Sequence, residues 1–356
     1  MIAIILYGSF ELAPFAQLYM NMLAESGEKY HLIGWKREAQ LTYAGDNVFV
    51  YGGRAAKRFS SAASKVIPAE GYRRFVKKLI RKYRYDKLVI LTTQTAVILA
   101  DVLLGSYRGR YVFDYRDRSY EYIAPYRALV NAIIKNSAAA AVSSPWFTEG
   151  LTAKDYLLVH NFRGECLGKG RDVCAKKADG EKLVIGYVGT LREFSYHKAL
   201  IDIFADDGRY EFFTYGCGDD TEALAEYAGN FGNIHVCGAY SEDDKYGITD
   251  KFDMMIYNYP YSYVNDCAVA NKYYDSLIMK KPMIVNPETV IGRYICENGL
   301  GVGINMADAD CGDVIFDWYR AFDADEFSRR CNGHMDRYAA DNARFAEKMR
   351  AYLIRD

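Results

Sequence analysis

The chain has 356 residues, of which 51% are apolar, and its formal net charge is −1. This length exceeds what one ordinary core holds and predicts two domains of roughly 150 residues each. The eight cysteines form no C-x-x-C pair and have no histidine at metal-ligand spacing, so we expect reduced thiols of a cytoplasmic protein instead of disulfides or a metal site.

No apolar run approaches 18 residues, and the start "MIAIILYGSFELAPF" has no basic region before its apolar stretch. We therefore expect no membrane-spanning helix, and we interpret the start as a first strand, not a signal peptide. The near-zero net charge hides an asymmetry between the two halves. Residues 1–170 hold 24 Lys and Arg against 14 Asp and Glu, or +10, and the remainder holds 21 against 32, or −11. The halves thus face different partners or each other.

Short apolar runs alternate with amphipathic stretches throughout the first half. The runs are "IAIILY", "YHLIGW", "NVFVYG", "DKLVILTT", "GRYVFDY", "AAAAVSS" and "YLLVHNF". Continuous apolar runs separated by helical segments predict a parallel sheet that is covered on both faces.

A basic segment, residues 54–87, holds 12 basic and two acidic residues. Its apolar side chains recur at helical spacing: Tyr72, Phe75, Val76, Leu79 and Ile80. One interpretation is a helix that covers a core and has a basic outer face. The other is a helix that lies on an anionic membrane, with Tyr72, Phe75 and Leu79 in the interface if it is partly exposed. The two interpretations are compatible. No RNA-binding or DNA-binding module accompanies it, so we expect no nucleic-acid partner.

The segment "FDYRDRS" brings three charged residues to the end of a predicted strand. Alternation along a strand puts Asp114 and Arg116 on one side and Asp117 on the other. Asp117 could position an acceptor hydroxyl or handle its proton, with Arg116 near phosphates; the alternative is a structural ion pair that caps the sheet. We interpret His160 and His197 as packing or loop residues more readily than as catalysts.

The stretch "RGECLGKGRDVCAKKADGEK" has no periodicity and is interpreted as a linker. A second series of apolar runs then follows: "KLVIGYVGT", "YEFFTYGCG", "NIHVCGAY", "FDMMIYNY", "KPMIVN" and "GLGVGI". The predicted fold class is α/β, with two doubly wound Rossmann-like domains that face a cleft. The predicted organisation is a first domain at 1–165, a linker at 166–181, a second domain at 182–335 and a carboxyl-terminal helix at 336–356.

The second domain opens with "YVGTLREFSYHKAL", in which Gly189 and Thr190 end a strand, Lys198 starts a helix and Arg192 lies between them. Such a loop can offer backbone N–H groups and two cations to a diphosphate, although an ordinary turn with solvated charges fits equally well. The later "TYGCGDD" lacks the third glycine of a dinucleotide fingerprint and is interpreted as a tight turn before a helix.

The stretch "ANKYYDSLIMKKPMIV" predicts a helix from Ala270 that Pro282 ends before a strand. Asn271 and Asp275 share one face of this helix, and its first N–H groups point toward the predicted cleft. A helix start suits a phosphate, and the Asp275 carboxylate can accept the two hydroxyls of a ribose. The alternative is a surface helix with ordinary polar residues.

The order of these segments between residues 182 and 306 resembles the carboxyl-terminal domain of GT-B glycosyltransferases, especially the retaining enzymes of family 4 that build bacterial surface polysaccharides. The first half is similar more loosely, through "YVFDYRDRSYE", "AAAAVSSPWFTEGL" and "LLVHNF". The resemblance implies a nucleotide-sugar donor, a hydroxyl of a glycan or lipid-linked acceptor and retention at the anomeric carbon. It also implies a cytoplasmic enzyme, with peripheral contact at the inner face of the cell membrane as an option. No Asp-x-Asp-type metal site is evident at a predicted strand end, so we expect no metal cofactor.

The resemblance also implies roles for individual residues. It implies that Arg192 and Lys198 neutralise the donor diphosphate. Together with Asp117 and Arg116, which are predicted from their place at the end of a strand, they form the predicted catalytic set. The implied donor-binding set is Gly189, Thr190, Asn271, Lys272, Asp275 and Ser276. The sequence departs from the E-x7-E motif of the family, since Cys267 stands at the first acid, beside Asp266, and the second acid is Asp275. A nucleotide-sugar epimerase of the same fold, or a catalytically silent sugar-nucleotide-binding protein, are the alternatives, and Cys267 favours the second.

Overall fold

The computed structural model describes residues 1–36, 45–53, 62–162 and 164–354, with only the backbone described at 62–66. The chain divides into two compact units. The first unit comprises Met1–His160 and Ala340–Asp356, and the second comprises Asn161–Ala339.

The first unit is built on a seven-stranded parallel sheet in the order β3-β2-β1-β4-β5-β6-β7. Its strands are β1 Ile2–Leu6, β2 Tyr30–Trp35, β3 Val48–Tyr51, β4 Lys87–Leu91, β5 Tyr111–Tyr115, β6 Ala139–Val142 and β7 Tyr156–Leu158. Its helices are α1 Ala16–Glu25, α2 Ala62–Tyr83, α3 Thr93–Ile98, α4 Ala100–Leu104 and α5 Ala124–Asn136. Every residue of β1 and of β5 is buried, which is why these strands are continuous apolar runs without alternation.

The second unit is built on a six-stranded parallel sheet in the order β10-β9-β8-β11-β12-β13. Its strands are β8 Leu183–Val188, β9 Tyr210–Tyr215, β10 Ile234–Val236, β11 Met254–Tyr257, β12 Met283–Val285 and β13 Gly301–Gly303. Its helices are α6 Phe194–Phe204, α7 Thr221–Ala228, α8 Lys245–Asp250, α9 Asn271–Met279, α10 Val290–Glu297 and α11 Cys311–Ala321, followed by α12 Ala324–Leu353. Two parallel sheets with flanking helices confirm the predicted α/β class with two doubly wound Rossmann-like domains.

The boundaries between the units differ from the predicted ones. The stretch 166–181, predicted to be a linker, belongs to the second unit. Arg171 Nε donates to Asp250 Oδ1 at 2.7 Å, and Lys177 Nζ lies 3.1 Å from Asp253 Oδ2. These ion pairs hold an aperiodic segment against a folded surface, which periodicity alone does not reveal.

The carboxyl-terminal helix is longer than predicted, since α12 begins at Ala324, not at 336. Its last part, from Ala340, belongs to the first unit. There Phe345, Met349 and Leu353 are buried in the core of that unit, and the Phe345 ring meets the edge of Tyr19 at 5.6 Å. The first unit is therefore completed by the end of the chain.

Helix α2 carries the basic segment, of which residues 54–61 lie outside the described part of the chain. Tyr72 and Val76 are fully buried and Leu79 is 7% exposed, so the apolar side of the helix faces the core. The expectation that Tyr72 and Leu79 dip into a membrane interface is therefore wrong, because the core already covers them. In the described part of the chain, no helix combines the length and the apolar character that crossing a bilayer requires.

The basic face of α2 is partly neutralised by neighbouring carboxylates. Asp101 Oδ2 lies 2.6 Å from Arg73 Nη2 and 2.7 Å from Lys77 Nζ. Glu70 accepts a hydrogen bond from Arg74 at 2.9 Å. Ion pairs on such a surface add little stability. They do reduce the positive charge that the helix presents.

Tyr72 connects α2 to the sheet by hydrogen bonds, because its hydroxyl lies 2.8 Å from Leu6 O and 3.1 Å from Ile33 O. We predict that Tyr72→Phe lowers the free energy of unfolding by about 1–2 kcal/mol, since it leaves buried carbonyl oxygens without this donor. Urea unfolding measures the change. The exposed Tyr261→Phe is the matched control and should leave the stability unchanged. Equal stability of Tyr72→Phe and the parent protein would contradict the assignment.

Candidate functional site

The strand order of the second unit locates a ligand crevice. Strands β8 and β11 are neighbours, and the chain continues from β8 toward one edge of the sheet and from β11 toward the other. Open parallel sheets bind ligands outside the carboxyl ends of strands at such a switch point. The segments that reach it are the loop after β8, which starts at Gly189, and the residues after β11.

The loop after β8 packs against the turn after β9 through backbone atoms. Gly189 N donates to Tyr215 O at 2.9 Å. A Cβ on Gly216 would lie 1.7 Å from Gly189 O, and a Cβ on Gly218 would lie 1.9 Å from Leu191 O. The two glycines of the G-x-G segment therefore permit a close approach of two loops, and this accounts for them without a dinucleotide.

Lys272, in the first turn of α9, carries the positive charge of this crevice. Its Nζ lies 4.0 Å from the ring centroid of Tyr187 and 4.8 Å from that of Tyr259. The residue is only 8% exposed, and a Cβ on Gly189 would lie 3.5 Å from Nζ. Burial lowers the pKa of this ammonium, while Tyr187 opposes the shift. Aromatic faces stabilise the cation, and an anion entering beside Gly189 would stabilise it further.

His197 lies behind the same tyrosines. Its ring meets the edge of Tyr187 at 4.9 Å and packs on Tyr196 at 5.0 Å. Burial, and then the charge of Lys272, lower the pKa of His197 to about 4. The imidazole is therefore neutral near pH 7, as expected for a packing residue.

Three more of the sequence-predicted donor residues lie exposed around the crevice: Thr190, Arg192 and Asn271. Thr190 O accepts a hydrogen bond from the Tyr187 hydroxyl at 3.0 Å. Within the described residues, the Arg192 guanidinium makes no hydrogen bond or ion pair, so its charge is available. Helix α9 begins at Asn271, and no side chain caps that start. Its first N–H groups are oriented as those of an anion site.

Asp275 lies one turn further along α9 and is 7% exposed. Its Oδ1 accepts from the Tyr246 hydroxyl at 3.1 Å, and its Oδ2 lies 3.2 Å from Lys245 Nζ. Desolvation raises the pKa of this carboxyl, and Lys245 counteracts that effect. Lys245 and Tyr246 thus hold the carboxylate in position, a role that nothing in their sequence context indicated.

Two sequence-predicted residues lie elsewhere. Ser276 is fully buried and its hydroxyl donates to Met255 Sδ at 3.2 Å, so it belongs to the core and not to a ligand site. Lys198 pairs with Asp202 at 2.7 Å and lies over the Tyr227 ring at 4.6 Å. None of the contacts that the structure describes for Lys198 is with the loop at Gly189. Its partners are instead Asp202, in α6, and Tyr227, in α7. The interpretation of Lys198 as a diphosphate cation is therefore not supported.

The start of α6 is capped by a carboxylate of the protein. Asp220 Oδ2 accepts the Phe194 N–H at 2.9 Å, so a carboxylate of the next turn caps this helix. Asp266 has a similar structural role, because its Oδ1 accepts the Val290 N–H at 2.9 Å at the start of α10. Cys267, which stands where the family places an acid, is fully buried. The α9 start, beside Lys272, is therefore a better candidate for an anion site than the start of α6.

In the first unit, Asp114 and Arg116 form a buried ion pair at the end of β5. Arg116 Nε lies 2.6 Å from Asp114 Oδ1, and Arg116 Nη2 donates to Asp114 Oδ2 at 2.9 Å. The Tyr19 hydroxyl also donates to Asp114 Oδ2 at 2.9 Å, and the guanidinium lies over the Phe15 ring at 4.6 Å. This favours the structural alternative for Arg116 over a role near phosphates, since its charge is already paired and only 3% of the residue is exposed.

Asp117, the next residue, is exposed. Desolvation raises the pKa of its carboxyl, which Arg116 counteracts. His160 contacts the last part of α12. Its Nε2 lies 3.0 Å from Asp341 Oδ2, and its backbone N–H donates to Asn342 Oδ1 at 2.7 Å. Of these residues, Asp117 is the one that is exposed to solvent, although its carboxyl is partly desolvated.

The residues that sequence reasoning missed are the tyrosines that surround Lys272. Tyr187 lies two positions before Gly189 on a predicted strand, so strand alternation could have placed it on the side of the crevice. Tyr259 follows the end of β11 in an irregular segment, and no periodicity indicates its direction.

No protein-family model and no curated protein match the sequence. Solved structures do match its fold along nearly the whole chain. Sucrose-phosphate synthase from Thermosynechococcus elongatus superimposes with a TM-score of 0.69 at 12% identity, covering 99% of this chain and 98% of that one. HepE from Anabaena in complex with UDP gives 0.68 at 11%, covering 99% and 100%. A putative UDP-N-acetylglucosamine 2-epimerase from Listeria monocytogenes gives 0.62 at 12%, covering 100% and 97%. At such identities the likeness shows the fold, and it confirms the predicted GT-B fold.

The lowered pKa of His197 predicts a pH dependence of stability. The unfolded histidine titrates near 6.5 and the folded one at about 4, so the unfolded chain binds more protons between these values and stability falls as the pH falls. From pH 7 to pH 5 this residue should remove about 2 kcal/mol. Urea unfolding of the parent and of His197→Gln at both pH values isolates this loss. A variant that loses as much stability as the parent would contradict the assignment.

Proposed function

We propose that this protein is a glycosyltransferase that moves a sugar from a nucleotide-sugar donor to a hydroxyl of a glycan or lipid-linked acceptor. The observation that carries the proposal is the buried Lys272 ammonium beside Gly189 at the switch point of the second sheet. Within the described residues no carboxylate forms an ion pair with Lys272, although Asp275 attracts it electrostatically. A buried cation of this kind is poorly stabilised by itself and is well placed for a diphosphate. The fold neighbour HepE, crystallised with UDP and with UDP-glucose, supports this class of donor.

The donor diphosphate lies, in this proposal, against Gly189, the Lys272 ammonium and the first N–H groups of α9. Arg192 is exposed beside the loop and adds a second cation. Asp275 accepts hydroxyl groups of the ribose, held in place by Lys245 and Tyr246.

The reaction needs charge stabilisation more than covalent help. Negative charge develops on the leaving diphosphate, and fixed cations together with helix N–H groups stabilise it without reorganisation. The approach of phosphate raises the lowered pKa of Lys272 and secures its charge when it is needed. We propose that these cations act without a metal cofactor. Retention at the anomeric carbon is a proposal that rests on the sequence resemblance.

The acceptor belongs, in this proposal, to the first unit. Asp117 is exposed after β5, and its carboxyl, with a raised pKa, is a candidate to position the acceptor hydroxyl or receive its proton. We place the enzyme in the cytoplasm, acting in the synthesis of a capsule, an exopolysaccharide or another cell-surface glycan.

An epimerase is the second candidate function, and the fold likeness to the Listeria protein favours it. An epimerase would return an isomerised donor and need no acceptor. A silent binding protein, which the buried Cys267 favours, would bind the nucleotide without turnover. Product analysis with a nucleotide-sugar and an acceptor separates the three outcomes.

Donor binding tests the proposal. The nucleoside diphosphate is chosen as the one of UDP, GDP and ADP that gives the largest thermal shift. We predict that Lys272→Met weakens its binding by about tenfold to a hundredfold, because a hydrogen bond to a charged group contributes roughly 1.5–3 kcal/mol. The nucleoside alone should bind as before. Lys198→Met should bind both ligands like the parent protein, since Lys198 pairs with Asp202.

Titration calorimetry in EDTA measures these affinities and tests the absence of a metal at the same time. Equal losses for diphosphate and nucleoside would mean that Lys272→Met disturbs the fold and not a phosphate contact. Binding that requires added Mg²⁺ would overturn the proposal that cations replace a metal. Loss of binding in Lys198→Met would restore the assignment made from the sequence.

We also propose peripheral membrane contact, now through charge alone. Lys78, Arg81 and Lys82 are exposed on α2, and each can add on the order of 1 kcal/mol to adsorption on an anionic surface. We predict salt-sensitive binding to vesicles of anionic lipid that is lost when these three residues are changed to Gln. Lys251→Gln, an exposed cation of the second unit, is the control and should change nothing. Cosedimentation decides, and a parent protein that stays in the supernatant at low salt contradicts the proposal.

A further inference from the structure

The segment between β5 and α5 has a feature that the proposed donor chemistry does not use. Residues 117–123 lie at the carboxyl end of β5 and begin with Asp117, the proposed acceptor-side carboxylate. They include two exposed tyrosines, Tyr120 and Tyr122, and a buried acid, Glu121.

Glu121 is 2% exposed. Its Oε2 accepts the Ser119 N–H at 2.5 Å, but among the described residues its Oε1 is buried without any hydrogen-bond partner. The nearby Arg127 guanidinium donates to the backbone oxygen of Glu121 at 3.4 Å. A buried carboxylate oxygen that lacks a partner is costly and calls for a donor from outside the chain.

The aromatic rings form one cluster with this carboxylate. The rings of Tyr120 and Tyr122 lie 6.3 Å apart, and those of Tyr120 and Tyr126 lie 5.7 Å apart. The Tyr126 hydroxyl lies 3.4 Å from Ser119 Oγ. Desolvation raises the pKa of Tyr126 to about 12, and the charge of Glu121 contributes to that rise. Ser119 thus connects the Glu121 carboxylate to the Tyr126 hydroxyl, and the Tyr126 ring packs against Tyr120. Two rings of this cluster are exposed to solvent: Tyr120 is 44% exposed and Tyr122 is 60% exposed.

We propose that this cluster is a subsite for a neutral sugar residue of the acceptor, which makes the acceptor of the proposed transferase a carbohydrate. A pyranose offers an apolar face of C–H groups for an aromatic ring and hydroxyl donors at its edge for a carboxylate oxygen. A phosphate group brings no donor at neutral pH and is repelled by the Glu121 charge. The inference rests on the proposed function, since it assigns the substrate class of the acceptor side.

A structural role for Glu121 is the alternative. The residue precedes α5, which begins at Ala124, and a carboxylate near the start of a helix stabilises it electrostatically. That role would change the melting temperature when Glu121 is replaced, but it would not change the affinity for a sugar. The two roles are separable because Glu121→Gln keeps an acceptor for the Ser119 N–H and removes the charge.

The experiment uses the full chain, with its nucleoside diphosphate present, on an array of immobilised neutral oligosaccharides. We expect the parent protein to bind at least one of them. Glu121→Gln should weaken that binding by about tenfold, as loss of one charged hydrogen bond does. Tyr122→Ala should weaken it similarly and Tyr122→Phe should restore it, because the ring is what stacks. Tyr261→Ala removes a tyrosine of the second unit that is also 60% exposed and should have no effect.

Each outcome of this experiment either supports or overturns the proposed sugar subsite. A parent protein that binds no neutral oligosaccharide, or Glu121→Gln and Tyr122→Ala that bind like the parent, overturns the subsite. An equal loss in Tyr261→Ala overturns it as well, because adsorption would then be non-specific. A fall in melting temperature for Glu121→Gln without a change in sugar binding assigns the residue to helix α5. Thermal shift by the nucleoside diphosphate is measured on every variant, so failure of the donor proposal shows there and not in the array.

Discussion

The contact between the Lys272 ammonium and the rings of Tyr187 and Tyr259 is the interaction on which the proposed donor site of the second unit depends. An ammonium that is 8% exposed has lost most of its water, and two ring faces replace only part of that stabilisation. The glycine at 189 leaves space beside it, and the start of α9 adds unshared N–H groups. Together these features favour the binding of an anion at the switch point of a parallel sheet, which is where folds of this class bind their ligands.

At other helix and strand ends, charged side chains are paired with groups of the protein. Asp220 caps the start of α6 and Asp266 caps the start of α10, so the protein satisfies those helix ends with its own carboxylates. Asp114 and Arg116 neutralise each other inside the first unit and bind Tyr19 as well. A paired group of this kind has little left to offer a substrate. Lys272 and, within the described residues, the Glu121 Oε1 that has no hydrogen-bond partner differ from these groups. Asp275 is the exception, because it is proposed to bind ribose although Lys245 and Tyr246 already contact it.

Strand and helix positions followed from the sequence because their causes are local. Apolar runs such as "IAIIL" are strands since both faces are buried, and the helix that starts at Asn271 ends before Pro282 as helix chemistry requires. The stretch 166–181, predicted to be a linker, belongs to the second unit. The sequence does not show this, because the ion pairs of Arg171 and Lys177 are made with residues distant in sequence. For the same reason the sequence could not show that the last turns of α12 complete the core of the first unit.

By itself, the sequence determined the α/β class, the two doubly wound sheets, the placement of Gly189 after a strand and the placement of Lys272 and Asp275 in a helix, since each depends on periodicity or on spacing within one segment. Only the tertiary structure decided which charges are free. It paired Lys198 with Asp202 and buried Ser276 against Met255. It also brought Tyr187, from β8, and Tyr259, from the segment after β11, around Lys272. The physical reason is that electrostatic and packing partners act over a few ångströms in space, whereas a sequence orders residues only along the chain.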